Sequence, residues 1–345
     1  MGREEKKILR QPPSDPIKSI QYELFSNFVT NDKSAVSNAI EIWEAIPKYF
    51  FTAAQINKFR TTDGLAKPHK RNFMFDGKLC TVIIQPALIE DENGDYKAHF
   101  PSVTEELVEE VLKKIFTEQN YGIHNPEKVE SWVKFSLSMI YKELKNKGKE
   151  RNRSQIKHAI KVMSRCTLTI LQENQEIYTG NILSDLITVN REEYVEDSSA
   201  LHAARLPIFI SQSINNLQYR QFNYYRFMLC DEQLSRWLYK LFINRFIQAS
   251  IITEYHFKYS NVKQNSGLLQ QKSDRDNRKK LASALDELKE RNVLRDWIYK
   301  PVKEGRKVVD VVYTVYAGRE FIGEQKAANK RASDQIPRRQ PSDFR

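Results

Sequence analysis

Hydrophobic positions along this chain change period from segment to segment, and the changes mark its elements. Residues 1–31 carry Pro12, Pro13 and Pro16 with little periodicity and read as a mobile arm. Val36, Ile40, Trp43 and Ile46 then recur at helical spacing until Pro47 stops the run. A polar, glycine-bearing stretch (TTDGLAKPHKR) leads to LCTVIIQP at 79–86, an apolar run that predicts a buried strand. Residues 102–118 predict the clearest helix of the first half. Ser102 and Glu105 form an S-x-x-E capping box, and Leu107, Val108, Val111, Leu112, Ile115 and Phe116 make a buried stripe. Glu109 and Glu110 fall on what reads as its exposed face.

Two later segments follow one plan. In the first, residues 136–146 (SLSMIYKELKN) predict a helix, Gly148 a turn and 154–164 a second helix. CTLTILQENQEIYTGNILSDLITV then reads as a β-hairpin. In the second, residues 231–250 predict a long core helix carrying Leu234, Trp237, Leu238, Leu241, Phe242 and Phe246. A short helix near 261–269, a turn and a helix over 274–292 follow, and WIYKPVKEGRKVVDVVYTV predicts a hairpin with Gly305 at its tip. Helix, turn, helix and hairpin is the order of a winged helix, and the two second helices start 120 residues apart, at 154 and 274. The expected fold is therefore α+β and helix-rich, with two tandem winged-helix domains. The first, with preceding helices, covers 32–205 and the second 206–318. Residues 319–345 show no apolar pattern and read as a disordered basic tail.

Composition narrows the class. The 345 residues include 16 tyrosines, 18 phenylalanines and 4 tryptophans, enough aromatic surface to build packed cores. No apolar run approaches the ~18 residues of a membrane span, and the first 30 residues lack the apolar block of a secretory signal. Cys80, Cys166 and Cys230 are odd in number and far apart, which excludes a disulfide scaffold and a zinc ribbon. The expectation is a soluble, cytoplasmic chain. Its formal charge of +11 favours polyanions, and the distribution says where. Acid gathers at Glu90, Asp91, Glu92 and Asp95. Residues 151–165 hold five bases and no acid, and 272–280 hold five bases against two aspartates.

Both basic runs coincide with the second helices. In 274–292, Leu281, Leu285 and Leu288 fix the buried side, which leaves Arg275, Lys279, Lys280 and Ser283 outward and Arg278 on the flank. In 154–164, Ile156, Ile160 and Met163 do the same, leaving Ser154, Gln155, His158 and Lys161 outward and Arg165 just past the end. Arginine and lysine suit guanine edges and glutamine suits adenine, so these faces are candidate base readers of duplex DNA. Arg151 and Arg153 in the turn, with Arg306 and Lys307 at the hairpin tip, would hold phosphates. The bland alternatives are solvated amphipathic helices and a protein-docking module. No GxxxxGK[ST] loop is present, and the six histidines form no HExxH pair, so no enzyme activity, metal or cofactor is expected.

The order of motifs resembles plasmid replication initiators of the RepA/TrfA type. The resemblance runs from about Trp43 to about Tyr316. It includes Trp43-x-x-x-Pro47-Lys48-Tyr49, Pro86-Ala87-Leu88, and Phe100-Pro101 followed by Glu105-Glu106-x-Val108-Glu109-x-Val111-Leu112. It continues through residues 137–164 to Tyr225-Arg226 and Trp237-Leu238-Tyr239. It implies binding to tandem origin repeats (iterons), opening of an adjacent AT-rich stretch and recruitment of host helicase and host initiator. It also implies autorepression as a dimer within a monomer–dimer equilibrium, and base reading chiefly by the second winged helix. In the arm, Gln21-Tyr22-Glu23-Leu24-Phe25 is similar to the Q-L-x-L-F peptide that docks on bacterial sliding clamps, with Tyr22 where leucine is usual. That likeness implies Gln21, Leu24 and Phe25 as clamp contacts. The nearest alternative is a winged-helix transcriptional repressor without a replication role.

Overall fold

Long-range pairing decides the first element. A computed structural model of the chain describes residues 36–118, 120–189 and 201–335. In it β1 (Val36–Ala39) is a strand where helical spacing was expected, because it pairs antiparallel with the distant Arg220–Asn223 segment. The helix starts later and is short, α1 (Glu41–Ala45), and places Trp43 in the core. Residue 46 is already extended ahead of Pro47. α2 (Ala53–Phe59) is capped by Thr52, whose hydroxyl accepts the Gln55 N–H at 3.3 Å. β2 (His69–Phe75) and β3 (Lys78–Gln85) form a hairpin. Its turn, Asp76-Gly77, has φ of 50° and 76°, the mirror-type geometry that suits strand twist. The polar stretch before β3 is therefore partly strand. β4 (Ala87–Glu90) and β5 (Tyr96–His99) carry the acidic loop 91–95 between them.

α3 (Val103–Phe116) starts at Ser102, whose N–H donates to the Glu105 carboxylate at 2.7 Å. β6 (Gly122–Asn125) and β7 (Glu130–Phe135) follow, then α4 (Leu137–Asn146) and α5 (Arg153–Arg165). β8 (Thr167–Gln172) and β9 (Gln175–Asn181) make the first hairpin after the helix pair. It extends the β2–β3 hairpin into one four-stranded sheet. β10 (Asp185–Ile187) and β11 (His202–Arg205) join β7 and β6 in another. α6 (Ile208–Asn215), β12 (Arg220–Asn223) and α7 (Tyr224–Leu229) lead to α8 (Gln233–Arg245). β13 (Glu254–Lys258), α9 (Tyr259–Ser266), α10 (Asp274–Glu290), β14 (Leu294–Glu304) and β15 (Lys307–Ala317) form the second helix–helix–hairpin succession. There β13 lies beside β15 in the order β13-β15-β14. The chain is mixed α/β, and both copies of the plan are present as elements.

The tail departs from expectation. α11 (Arg319–Gln335) is a helix that buries Phe321, Ile322, Ala327 and Ala328. Arg226 pairs with Glu320 and Glu324, and the Tyr239 hydroxyl donates to Glu324 at 2.6 Å. Only two of its buried apolar residues are large, and alanines carry little sequence signal, so the apolar face was not legible. Residues 336–345 and the clamp-like Gln21, Leu24 and Phe25 lie outside the described residues.

The polar face of α3 is not exposed. Glu109 and Glu110 are 2% and 1% exposed, against the expected solvated face, because α1 and α8 cover them. The Glu44 carboxylate sits 2.6 Å from Lys113 and 2.7 Å from Lys240. Glu110 pairs with Lys113 at 2.6 Å and also with Lys240. Trp43 donates its indole N–H to Glu109 at 2.6 Å, and Arg236 reaches Glu106 at 2.8 Å. Burial alone would raise the Glu44 carboxyl, but Lys113 and Lys240 hold it well below the usual range. Burial dominates at Glu110 and keeps it above that range. Removing one partner leaves buried charge without full compensation, a loss on the order of 3–5 kcal/mol. Lys240→Ala should therefore lower the urea midpoint sharply, and adding Glu110→Gln should recover part of the loss, both read by circular dichroism.

Candidate nucleic-acid interface

α5 is set at its start by a reciprocal cap. The Asn152 side chain accepts the Gln155 N–H at 2.8 Å, and the Gln155 side chain accepts the Asn152 N–H at 2.9 Å. Gln155 is thus occupied at the helix start, whereas the sequence pointed to an adenine contact. Ile156, Ala159, Ile160, Val162 and Met163 are buried. Burial of Val162 turns the open face toward Arg153, Ser154, Lys157 and Lys161. Lys157, exposed and central on that face, is the residue that the three-point helical phase omitted. Arg151 is tied down, donating to Thr104 Oγ1 at 3.2 Å and to the Glu150 carbonyl at 2.8 Å. Arg165 is exposed and reaches the Leu88 carbonyl at 3.4 Å.

His158 is half-buried against a neighbour. Its Nε2 lies 3.2 Å from His99 Nδ1, the rings meet edge to face at 4.5 Å, and the Arg60 guanidinium is 3.2 Å from His99. Ser154, Lys157, His158 and Lys161 form one wall of an open groove of about 650 Å³. The other wall is the acidic hairpin, with Glu90, Asp91 and Glu92. The α5 face is therefore basic with an acidic border.

α10 is more open. Ser273 accepts the Arg275 N–H at 3.1 Å, and the buried Asn277 amide braces the preceding turn by bonding both the N–H and the carbonyl of Gln271. Leu281, Ala284, Leu285 and Leu288 face the core, and Arg275 and Lys279 are exposed on the far side. Arg278 is half-buried, its guanidinium 5.9 Å from the Tyr259 ring centre. Lys280 donates to the Leu268 carbonyl at 3.0 Å, and Ser283 donates to Glu232 at 2.6 Å. Of the five α10 candidates, Arg275 and Lys279 have no side-chain hydrogen bond or ion pair among the described residues.

The second hairpin is anchored to α10 by Trp297, which donates to Asp286 at 2.8 Å. Trp297, Tyr299 and Tyr313 form an aromatic ladder with centroid spacings of 6.0–6.3 Å, and Phe257 stacks on Tyr313 at 5.5 Å. Gly305, with φ 61°, opens the two-residue turn between Glu304 and Lys307. Arg306 and Lys307 are exposed at its tip. Among the described residues, no group of three His, Cys, Asp or Glu side chains could hold a metal, and no helix is long and apolar enough to cross a membrane.

Burial, with His158, Arg60 and Lys97 beside it, pushes His99 down to about 4. Burial also lowers His69, His124, His158 and His202. A histidine with a lowered folded pKa binds its proton more readily when unfolded. Its stabilising contribution is therefore full above about 6.5 and is lost as pH falls toward the folded pKa. The melting temperature should drop as pH is lowered from 7 to 4, and His99→Gln should flatten part of that drop.

No family model matches the chain, and no curated protein matches it. Among solved structures, the chain is similar to domains 2 and 3 of RctB. In one structure the TM-score is 0.45 at 16% identity, covering 76% of this chain and 98% of that one. In a second, covering residues 155–483 of RctB, it is 0.45 at 13% identity, over 77% and 96%. It is also similar to the Pi initiator protein in complex with iteron DNA, with a TM-score of 0.37 at 13% identity over 84% and 99%.

Proposed function

We propose that this chain is a sequence-specific, non-enzymatic DNA-binding protein that initiates plasmid replication by recognising origin repeats through two winged helices. The observation that carries the DNA reading is the repeated arrangement itself. Each copy presents a second helix with exposed basic side chains on its outer face and a hairpin directly after it. A helix so placed enters a major groove with its N-terminal turns, while turn and hairpin meet phosphates. In the second copy Arg275 and Lys279 read base edges, Arg278 supports them from the flank, and Arg306 and Lys307 hold the backbone. In the first copy Arg153, Ser154, Lys157 and Lys161 face the groove. The acidic hairpin beside them weakens indiscriminate attraction and leaves the larger share of affinity to α10. Two helices in successive major grooves on one face cover roughly two turns, ~20 bp, per repeat.

Replication, as against plain repression, rests on the initiator-like resemblance from about Trp43 to about Tyr316 and on the clamp-like Gln21-Tyr22-Glu23-Leu24-Phe25 of the arm. Partners such as a sliding clamp, a helicase or a host initiator belong to the same proposal, as does self-repression by a dimer. A footprint on the DNA flanking the gene, at physiological salt, tests it. Several protected direct repeats beside an AT-rich stretch are expected. Protection of one inverted repeat over the promoter would make the protein a repressor, and no protection at any salt would remove the DNA reading.

With a protected repeat in hand, Arg275→Ala should cost about 1–3 kcal/mol on that site and relax specificity at one position. Lys307→Ala should weaken cognate and random duplexes alike and flatten the salt dependence by about one unit. Fluorescence-anisotropy titrations across a salt series read both, and an equal loss on random DNA for Arg275→Ala would remove it from base reading.

A further inference from the structure

Between the N-terminal ends of α5 and α10 lies a surface with no part in the scheme above. It is the short helix α2 with its flanks. On one side Ile56 borders a cavity of about 360 Å³ together with Ser154, Gln155 and His158 of α5. On the other, the Gln55 side chain meets that of Gln270, in the turn just before α10, and Gln270 donates to the Phe50 carbonyl at 3.0 Å. Gly267 makes this approach possible. Its φ is 70°, and a Cβ there would come within 2.8 Å of the Phe50 ring. Arg71 adds a second tie, donating to the carbonyls of Lys263 at 2.8 Å and Gln264 at 3.1 Å. α2 is thus wedged between the start of one groove helix and the turn that leads into the other.

That position has a geometric consequence. Helices entering adjacent major grooves on one face of a duplex stand about 34 Å apart, with the intervening minor groove and its bordering phosphates between them. Protein held between the two helix starts therefore faces those phosphates. The outer side of α2 suits them. Ala53, Ala54, Asn57 and Lys58 are exposed, and the two alanines allow close approach. Residues 45–75 hold one acid, Asp63, among six lysines and arginines. Of those six, Lys48 is buried, and Arg60 and Arg71 bond to protein carbonyls. Among the described residues no ion pair involves Lys58.

We infer that α2 is a third DNA-contacting element, in which Lys58 and Asn57 seat on the phosphates that border the minor groove between the two major grooves. The inference rests on the DNA reading proposed above and adds a contact that carries no base preference. A phosphate contact releases a counterion, so it shows in the salt slope more than in sequence preference.

The test titrates the full chain with a duplex holding one protected repeat, and with a scrambled duplex, across a salt series. Wild type, Lys58→Ala and Arg275→Ala are compared, each with a hydroxyl-radical footprint. Lys58→Ala is expected to weaken both duplexes several-fold, to lower the steepness of the log K against log salt line by about one, and to lose protection at the central minor groove. An unchanged slope with unchanged central protection, while Arg275→Ala still weakens the repeat, would overturn the α2 contact and leave the base-reading helices standing. Failure of the wild type to bind either duplex would overturn the DNA reading itself. Lys58 is exposed and has no ion-pair partner among the described residues, so its truncation leaves the fold intact, and circular dichroism of the variant checks this directly.

Discussion

Charges buried where three distant segments meet hold the two copies of the helix–helix–hairpin plan in one relation. Glu44 comes from α1, Glu106, Glu109, Glu110 and Lys113 from α3, and Arg236 and Lys240 from α8. Each charge pays desolvation on entering the interior, and only the full set of partners offsets it. Sliding α8 against α3 by one helical turn would leave Lys240, Arg236 and Glu106 unmatched, and Glu44 and Glu110 with Lys113 alone between them. An apolar interface would tolerate such a slip far better, because apolar contacts are less directional. The same α3 packs against α5, and the same α8 packs against α10. The cluster therefore fixes how the two basic helices stand relative to each other.

The sequence made the periodic parts legible and left the long-range parts hidden. The α3, α4, α5 and α10 helices and both later hairpins follow from local spacing, caps and turn residues, and the structure contains them. β1 was hidden because its partner lies about 180 residues away, and pairing overrode a helical spacing of apolar residues. α11 was hidden because alanines with one phenylalanine and one isoleucine make a weak stripe. Glu109 and Glu110 were misread for a different reason. A charged helix face looks solvated until a second helix with matching charge is known to cover it, and Arg236 and Lys240 lie some 130 positions downstream.

At the candidate interface, residue types and general location were legible, whereas individual assignments depended on contacts that no helical wheel contains. Gln155 is occupied by its cap, Lys280 by a backbone carbonyl and Ser283 by Glu232. Arg275, Lys279, Arg306 and Lys307 stay open, as expected from phase and turn position. Lys157 emerged because Val162 is buried, which rotates the open face of α5 by part of a turn. These differences leave a consistent division. α10 and its hairpin present open cations, α5 presents cations beside an acidic wall, and α2 bridges them.

The central claim is that two groove-reading helices are locked in one register by the joint between them. The most direct measurement inserts 5 bp, half a helical turn, between the two halves of one protected repeat and compares affinity at fixed salt with that for the uninterrupted repeat. The account predicts that affinity collapses to the level of a duplex carrying a single half, because the rigid joint cannot follow a half turn around the axis. Affinity unchanged by the insertion would contradict it, since it would mean that the two copies bind independently or that only one of them reads DNA.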